Sequence, residues 1–292
     1  MIVNEDILKL KKRIFLKKLD FKPSISLRYP NLVPLILFWR RYMWHVRMLR
    51  SQFLFATKKE MVTYPKVISR HTSPLYRKLS NVDQNKIEGK IINLTIASQK
   101  LNGLIIKKGE TFSLWKIIGN PTYKKGYKDG LLLSGGDVIY GVGGGLCQLS
   151  NLLTWLFLHS NLTITERHHH SFDAFPDSGR TIPFGTGSTI YFPTLDLKCK
   201  NTSESDVQLE VWLTDTQLCG KIRSMKSSLV KYHIYAEDEV FFTAGNEIYR
   251  HNKVYRDIIS NSKIVKKELI SENTFLVKYK VDNEKLYDFM VK

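Results

Sequence analysis

The alternation of apolar and polar positions predicts two helices near the N-terminus. Apolar residues recur at helical spacing among lysines and arginines over residues 5–20, which predicts a basic amphipathic helix. A second helix is expected from Pro34, a residue favoured in a first helical turn, to about Phe55. Its mixture of Trp, Tyr and Arg suits a membrane headgroup region. The alternative interpretation is a helix packed on the main domain with its cations in water.

The central part of the chain has a different pattern. Residues 87–101 carry an apolar residue every three or four positions and are followed by Asn102-Gly103, which predicts a helix with a glycine C-cap. A nearly continuous apolar run predicts a buried helix over residues 148–160. Strands are expected at residues 104–106, 162–166, 188–192 and 207–213.

From residue 221 onward, β-branched and aromatic runs predict further strands. The expected fold class is therefore α+β. It comprises a basic helical arm at 1–65, a central mixed domain at 66–220 and a small β-rich extension at 221–292. In the central domain the 148–160 helix is expected to pack on an antiparallel sheet.

The charge of the chain indicates an anionic partner. Of the net charge of +18 over 292 residues, more than half lies in residues 1–60, where 14 Lys and Arg stand against four Asp and Glu. Such a field attracts an anionic cell-wall precursor, inner-leaflet lipid or nucleic acid. Nucleic acid is the least favoured of these, since no recognisable docking module accompanies the charge.

Cysteine usage and hydropathy bear on the compartment. Cys147, Cys199 and Cys219 are too widely spaced for a disulfide framework or a metal knuckle, which fits a reducing compartment. The first residues show no secretory-signal pattern. The longest apolar run, residues 32–39, contains a proline and is far short of the roughly 20 residues of a spanning helix. The expectation is a cytoplasmic protein, peripheral at the inner membrane face.

A glycine-rich turn before the buried helix is the main candidate for chemistry. Nine of the 17 glycines lie between residues 119 and 145, and the last three, Gly143-Gly144-Gly145, precede Cys147. A thiol at a helix start is expected to have a lowered pKa, and the Gln148 amide could stabilise an oxyanion. Cys147 is thus a candidate nucleophile. It could equally be a small packed residue, and the turn could hold a phosphate or carboxylate without chemistry.

A histidine-rich segment about 20 residues later could supply the base. In extended conformation His168 and His170 share one face and His169 takes the other, and Asp173 or Asp177 could orient the imidazole. Cysteine on a helix followed by histidine on a strand is the order found in papain-like hydrolases. These side chains could also bind zinc or iron, but their spacing is not diagnostic, and neither a metal nor another cofactor is expected.

The central segment also carries a series of distinctive motifs. These are Asn93-Leu94, Leu101-Asn102-Gly103, Gly109-Glu110-Thr111-Phe112-Ser113, Gly126-Tyr127, Gly143 to Ser150, Glu166-Arg167-His168 and Phe175-Pro176-Asp177. Together they resemble the VanW family over roughly residues 65–220. The resemblance implies an accessory protein of glycopeptide (vancomycin B-type) resistance, or a relative in cell-wall biology, with other resistance or cell-wall proteins as candidate partners. It implies no mechanism, because the family has no agreed activity.

Two functional hypotheses follow, and the sequence leaves open whether the protein is an enzyme. In the first, Cys147 attacks a peptidoglycan precursor in acyl transfer or amide hydrolysis and His168 or His170 takes the proton, with Asp173 in support. In the second, a binding or scaffolding protein holds an anionic precursor or partner. The candidate substrate-binding residues are Gly143, Gly144, Gly145, Gln148, Ser150, Glu166 and Arg167.

Overall fold

The computed structural model describes residues 4–20, 28–51, 54–76, 84–134, 137–169, 172–173, 176–177 and 182–287. The fold is α+β, as expected. Its helices are α1 (Asn4–Leu19), α2 (Val33–Arg50), α3 (Gln84–Leu101), α4 (Leu114–Ile118) and α5 (Leu146–Leu158). Its strands are β1 (Lys66–Pro74), β2 (Leu104–Ile106), β3 (Thr111–Ser113), β4 (Asp129–Ser134), β5 (Asp137–Val142), β6 (Leu162–Glu166), β7 (Phe172–Asp173), β8 (Lys198–Asn201), β9 (Val207–Leu213), β10 (Gln217–Ser224), β11 (Val230–Ala244), β12 (Glu247–Ser260) and β13 (Lys263–Val277).

The centre of the molecule is an antiparallel sheet of strand order β1-β10-β9-β2. Helix α3 contacts β9, α5 contacts β1 and β10, and the two helices contact each other, so they form one layer on the sheet. Gly220 in β10 permits this packing, because a Cβ there would lie 2.8 Å from the Leu156 side chain of α5. Most side chains of α5 are buried, as its apolar run predicts.

Strands β2, β6 and β9 have the bounds expected from the pattern, but residues 188–192 do not form a strand. Only isolated bridges involve Thr189 and Tyr191 there. The physical reason lies at Ser188, whose backbone N–H donates to Asn151 Oδ1 and whose carbonyl accepts from Ser150 Oγ, at 2.7 and 2.6 Å. Both groups are therefore bonded to side chains of α5 and not to a neighbouring strand. A separate sheet, β3-β8-β6, lies beside this segment.

The C-terminal part is a sheet of three long antiparallel strands, β11-β12-β13, with the short β7 added in parallel to β13. The apolar face of α1 is buried against this sheet, where Ile7 and Leu10 pack with Val240, Phe242 and Tyr249. The basic arm thus contacts the C-terminal extension. The domain boundaries at 65/66 and 220/221 stay predictions, and β10 continues across the second of them to Ser224.

Helix α2 packs on the central core through its inner side. Met48 is buried, and the ring of Trp44 lies edge-on to Phe192 with centroids 5.0 Å apart. The helix ends at Arg50, five residues before the expected end. Within the part of the chain that the structure describes, no helix is both long enough and apolar enough to cross a membrane.

Candidate functional site

The glycine turn before α5 is shaped by close backbone packing. Gly143 and Gly145 have φ of +80° and +93°, which side chains other than glycine rarely adopt. Gly144 lies against Gly130 at the start of β4, and a Cβ on Gly144 would come within 2.1 Å of the Gly130 carbonyl. The fully buried Asn93 of α3 donates from Nδ2 to the Gly144 carbonyl at 2.9 Å. The glycines therefore serve the packing of the turn against α3 and β4.

The amides of this turn are used within the protein. The Gly143 N–H donates to the Lys128 carbonyl, the Gly144 N–H to Gly141, and the Gly145 N–H to Leu131, at 2.9–3.0 Å. The sequence-based expectation that this turn grips a phosphate or carboxylate has no support in this hydrogen bonding, since each of the three donors has a protein acceptor.

Gln148, whose amide is the candidate oxyanion donor, bonds to other parts of the protein through both its backbone and its side chain. Its backbone N–H donates to the Gly145 carbonyl at 3.0 Å. Its side-chain Nε2 donates to Ser73 Oγ at 2.9 Å and to the Pro74 carbonyl at 2.8 Å, at the end of β1. Gln148 thus fastens α5 to the central sheet.

Two other side chains at the start of α5 bind the segment at 188–190. Ser150 and Asn151 hold the backbone of Ser188, as described above. Positions 147, 150 and 151 share one helix face, and Cys147 lines a pocket together with Ile190. The residues Gln148, Ser150 and Asn151 therefore attach α5 to its neighbours, while the thiol lines the pocket.

Cys147 lines a pocket of about 320 Å³. Burial raises the pKa of its thiol, although hydrogen bonding from Ile190 and Thr189 acts in the opposite direction. The shift is opposite to the lowering expected from the helix position alone, because desolvation of the thiolate outweighs the local dipoles. The thiol is therefore mostly protonated at neutral pH.

Most of the residues that line the pocket are apolar or aromatic, and one cation is among them. Arg41 reaches it from α2, and no Asp or Glu is among the described residues that line it. Nearby, Lys125 Nζ donates to the carbonyl of the lining residue Asn120 at 3.0 Å. The other lining residues are Trp115, Pro121, Thr122, Tyr123, Leu132, Val142, Gly143, Leu146, Ile190, Tyr191 and Phe192.

Glu166, a candidate substrate-binding residue, is the centre of a polar cluster. Its carboxylate accepts from Lys198 Nζ at 2.7 Å, His168 Nε2 at 3.0 Å and the Asp196 N–H at 3.1 Å. Burial acts to raise the pKa of Glu166, but these three donors together lower it. The ring of His168 is thus oriented by Glu166. Among the described residues, no hydrogen bond joins His168 to Cys147.

Asp196 positions a wall of the pocket. It is buried, and it accepts from Ser113 Oγ at 2.6 Å and from the Trp115 N–H at 3.1 Å, which holds the first turn of α4. The adjacent Leu195 carbonyl accepts from the Trp115 indole at 2.7 Å. Burial raises the pKa of Asp196 to about 6, in spite of these donors.

Arg167 points into the protein. Its guanidinium donates to the Thr186 carbonyl at 3.3 Å and lies 3.2 Å from His169 Nε2. Burial lowers its pKa to about 10. The neighbouring His170, the second candidate base, lies outside the described residues.

Asp173 and Asp177 are the expected partners of the imidazole, but in the structure both bind an arginine. Both accept from the guanidinium of Arg250 on β12, with Asp173 at 3.2 Å, and Asp173 also accepts from the Tyr279 hydroxyl at 2.9 Å. Arg250 is fully buried and also donates to Glu239. The cluster joins the Phe-Pro-Asp motif to the C-terminal sheet. Among the described residues, no group of His, Cys, Asp or Glu side chains could hold a metal ion.

Sequence reasoning missed three residues that build this site. Asn93 is visible in the sequence only as part of a family motif, and its three hydrogen bonds to backbone depend on the fold. No sequence spacing relates Asp196 to the helix start at Trp115, 81 residues away. Arg41 belongs to the arm in the sequence, and only the packing of α2 brings it to the pocket.

Comparison with known proteins identifies the class. Residues 89–223 match the family model described as VanW like protein. A relative is 32% identical over 235 residues, which cover 80% of this chain and 86% of that protein. The chain belongs to the VanW family. That relative is the Vancomycin B-type resistance protein VanW of Enterococcus faecalis (strain ATCC 700802 / V583).

A second relative is the uncharacterized protein YoaR of Bacillus subtilis (strain 168), 27% identical over 150 residues. That match spans 49% of this chain and 46% of YoaR. No solved structure matches the chain.

Proposed function

We propose that this chain is an accessory protein of vancomycin B-type glycopeptide resistance that binds, without chemical conversion, an anionic cell-wall precursor in the pocket beside Cys147. The link to resistance rests on the relative named for it, of which the chain covers 86%. The proposal includes the expected location at the inner membrane face, where such precursors are made.

One observation carries the preference for binding over catalysis. Cys147 lines a pocket and burial raises the pKa of its thiol, while the described candidate base, His168, is held by Glu166. A nucleophilic cysteine needs a base in reach and a lowered pKa. A pocket with apolar walls, a cationic edge and a protonated thiol instead suits an uncharged moiety with an attached anion.

A second candidate function is cysteine-dependent acyl transfer or amide hydrolysis. The observation that favours it is the position of Cys147 on the pocket wall at the start of α5. In that mechanism His168 or His170 accepts the thiol proton as the Cys147 sulfur attacks an amide carbonyl of the precursor. The histidine then passes that proton to the departing amine, and water or an acceptor amine takes the acyl group from the sulfur.

Calorimetric titration with a soluble nucleotide-linked muramyl peptide, without lipid, tests the proposal. The parent chain should bind, and Cys147→Ser should retain the affinity. Arg41→Gln should weaken binding about fivefold, the effect of one partly solvated charge pair. Arg40→Gln is the matched control, since Arg40 is exposed on the same helix but is not part of the pocket lining.

Mass spectrometry of the same mixtures separates the two candidates. An unchanged precursor after long incubation agrees with binding alone. Conversion by the parent that Cys147→Ser abolishes would replace the binding proposal with the enzyme. Absence of any heat of binding with the parent would refute the pocket assignment.

A further inference from the structure

Helix α2 has an apolar outer side that the described residues of the protein leave uncovered. At 100° per residue, its core contacts through Trp44 and Met48 define one side of the helix. The opposite side carries large apolar side chains with 41–67% of their surface exposed. These are Leu35, Phe38, Trp39, Tyr42, Met43 and Leu49, and we call them the outer face of α2.

The charge beside this face has one sign. The 18 residues of α2 include four arginines, at 40, 41, 47 and 50, and no Asp or Glu. All four arginines are exposed, and no ion pair joins them to a carboxylate of the described residues. Positions 40 and 47 lie along one flank of the outer face and position 41 lies towards the other.

In the first helix of the arm, α1, one apolar face is covered by the protein itself. The apolar face of α1 packs on the C-terminal sheet through Ile7 and Leu10. Its cations pair with that sheet, Arg13 with Glu272 at 3.3 Å and Lys18 with Glu247 at 2.5 Å. Neither arrangement exists for the outer face of α2 within the described part of the chain.

We propose that the outer face of α2 is a peripheral membrane-binding surface for bilayers that contain anionic phospholipid. The aliphatic residues and Phe38 would enter the boundary of the acyl chains, Trp39 and Tyr42 would lie at headgroup level, and the arginines would bind lipid phosphates. A helix of 18 residues, about 27 Å long, lies flat on such a surface. A second copy of the chain is a poorer occupant, because its own arginines would oppose these.

The surface has a consequence for the pocket, although the proposal does not depend on what the pocket binds. Arg41, on the same helix, lines the pocket beside Cys147, and Trp44 packs on the pocket residue Phe192. A membrane-bound α2 therefore places the pocket edge at the bilayer surface, within reach of a lipid-linked molecule.

Flotation of the full chain with phosphatidylcholine vesicles, with and without phosphatidylglycerol, tests the surface. Binding should require phosphatidylglycerol. Phe38→Ala with Trp39→Ala should lower the partition coefficient at least about tenfold, through lost apolar burial. Arg40→Gln with Arg47→Gln should lower it about fivefold per arginine.

Two matched variants change comparable residues elsewhere. Ile264→Ala with Val265→Ala removes an apolar pair exposed by 63% and 61% on β13, and Lys12→Gln with Lys17→Gln removes two exposed charges from α1. Neither should change partitioning more than about twofold. Circular dichroism and thermal unfolding show whether each variant is folded, which is expected because every altered side chain is exposed or remote from the core.

Three results would overturn the proposal. The first is equal flotation with neutral and anionic vesicles, or with neither. The second is α2 variants that float as the parent does. The third is a parent dimer in solution that Phe38→Ala with Trp39→Ala converts to monomer, which would assign the face to a second copy. The soluble-precursor titration contains no lipid, so failure of one experiment leaves the other interpretable.

Discussion

Asn93 offers the sharpest test of how the glycine turn is held. Its Nδ2 donates to the carbonyls of Lys128 and Gly144, both at 2.9 Å, and its Oδ1 accepts from the Lys128 N–H at 2.8 Å. In Asn93→Ala the Lys128 carbonyl still accepts from the Gly143 N–H. The Gly144 carbonyl and the Lys128 N–H, in contrast, each lose the hydrogen bond that Asn93 makes with them. At about 1–3 kcal/mol for each orphaned group, the expected loss is about 3 kcal/mol.

Urea unfolding at neutral pH measures this loss as a lower midpoint with unchanged slope. Asn102→Ala is the matched control directly after the same helix, because Asn102 is exposed and accepts one such bond, from the Val211 N–H at 3.2 Å. It should cost at most about 1 kcal/mol. Since the turn positions Cys147, Asn93→Ala should also speed alkylation of Cys147 by iodoacetamide under native conditions, with Cys199 and Cys219 changed to Ala.

Equal midpoints for the two variants would refute the reasoning, since they would show that the three bonds of the buried Asn93 add nothing to the one bond of Asn102. Asn93→Asp provides a further check. One carboxylate oxygen can still accept from the Lys128 N–H. The other oxygen replaces the donor Nδ2 and therefore faces the Gly144 carbonyl, which is also an acceptor. It should destabilise the protein at least as much as alanine.

Two further predictions concern buried charges. The pKa of Asp196 is raised to about 6 from the usual 3.8, so its stabilising contribution is complete below pH 3.8 and is lost as the pH rises to 6. Asp196→Asn, which stays neutral, should therefore gain about 3 kcal/mol relative to the parent across that range in urea unfolding, and a constant difference would contradict this. Arg250→Met should cost about 3–5 kcal/mol, because it removes the countercharge of the buried Asp173 carboxylate. Asp173→Asn in the same chain should restore part of that stability in thermal unfolding, and strictly additive losses would disprove the coupling.

The sequence predicts the regular elements of this protein well where periodicity is strong. Apolar spacing locates α1, α3 and α5 to within a few residues, and the bounds of β2, β6 and β9 agree fully. The failure at 188–192 has a local cause that periodicity does not contain. Thr, Ile and Tyr favour a strand there, but two polar side chains of α5 bond the Ser188 backbone.

The candidate site was less predictable, because its partners are joined by tertiary packing. Sequence proximity suggested that Asp173 and His168 act together. In the fold, His168 is instead hydrogen-bonded to Glu166, two residues away, and Asp173 is hydrogen-bonded to Arg250, 77 residues away. Spacing along an extended segment fixes which side chains share a face, but it does not reveal which distant strand supplies the countercharge.

The glycine-cysteine motif shows why a helix start does not by itself make a reactive thiol. From sequence, Gly-Gly-Gly-x-Cys suggests exposed amides converging on a sulfur. In the fold the amides of Gly143, Gly144, Gly145 and Gln148 all donate to protein carbonyls, so their dipoles are already neutralised by local acceptors. What then decides the pKa of Cys147 is the loss of water around it, and burial raises that pKa. A ligand that enters the pocket would remove more water from the thiol and raise the pKa further, unless it carries its own positive charge. Binding of an anionic precursor should thus slow Cys147 alkylation for two reasons, because it covers the sulfur and because it disfavours the thiolate. The rate of alkylation at fixed pH is therefore a direct measure of pocket occupancy.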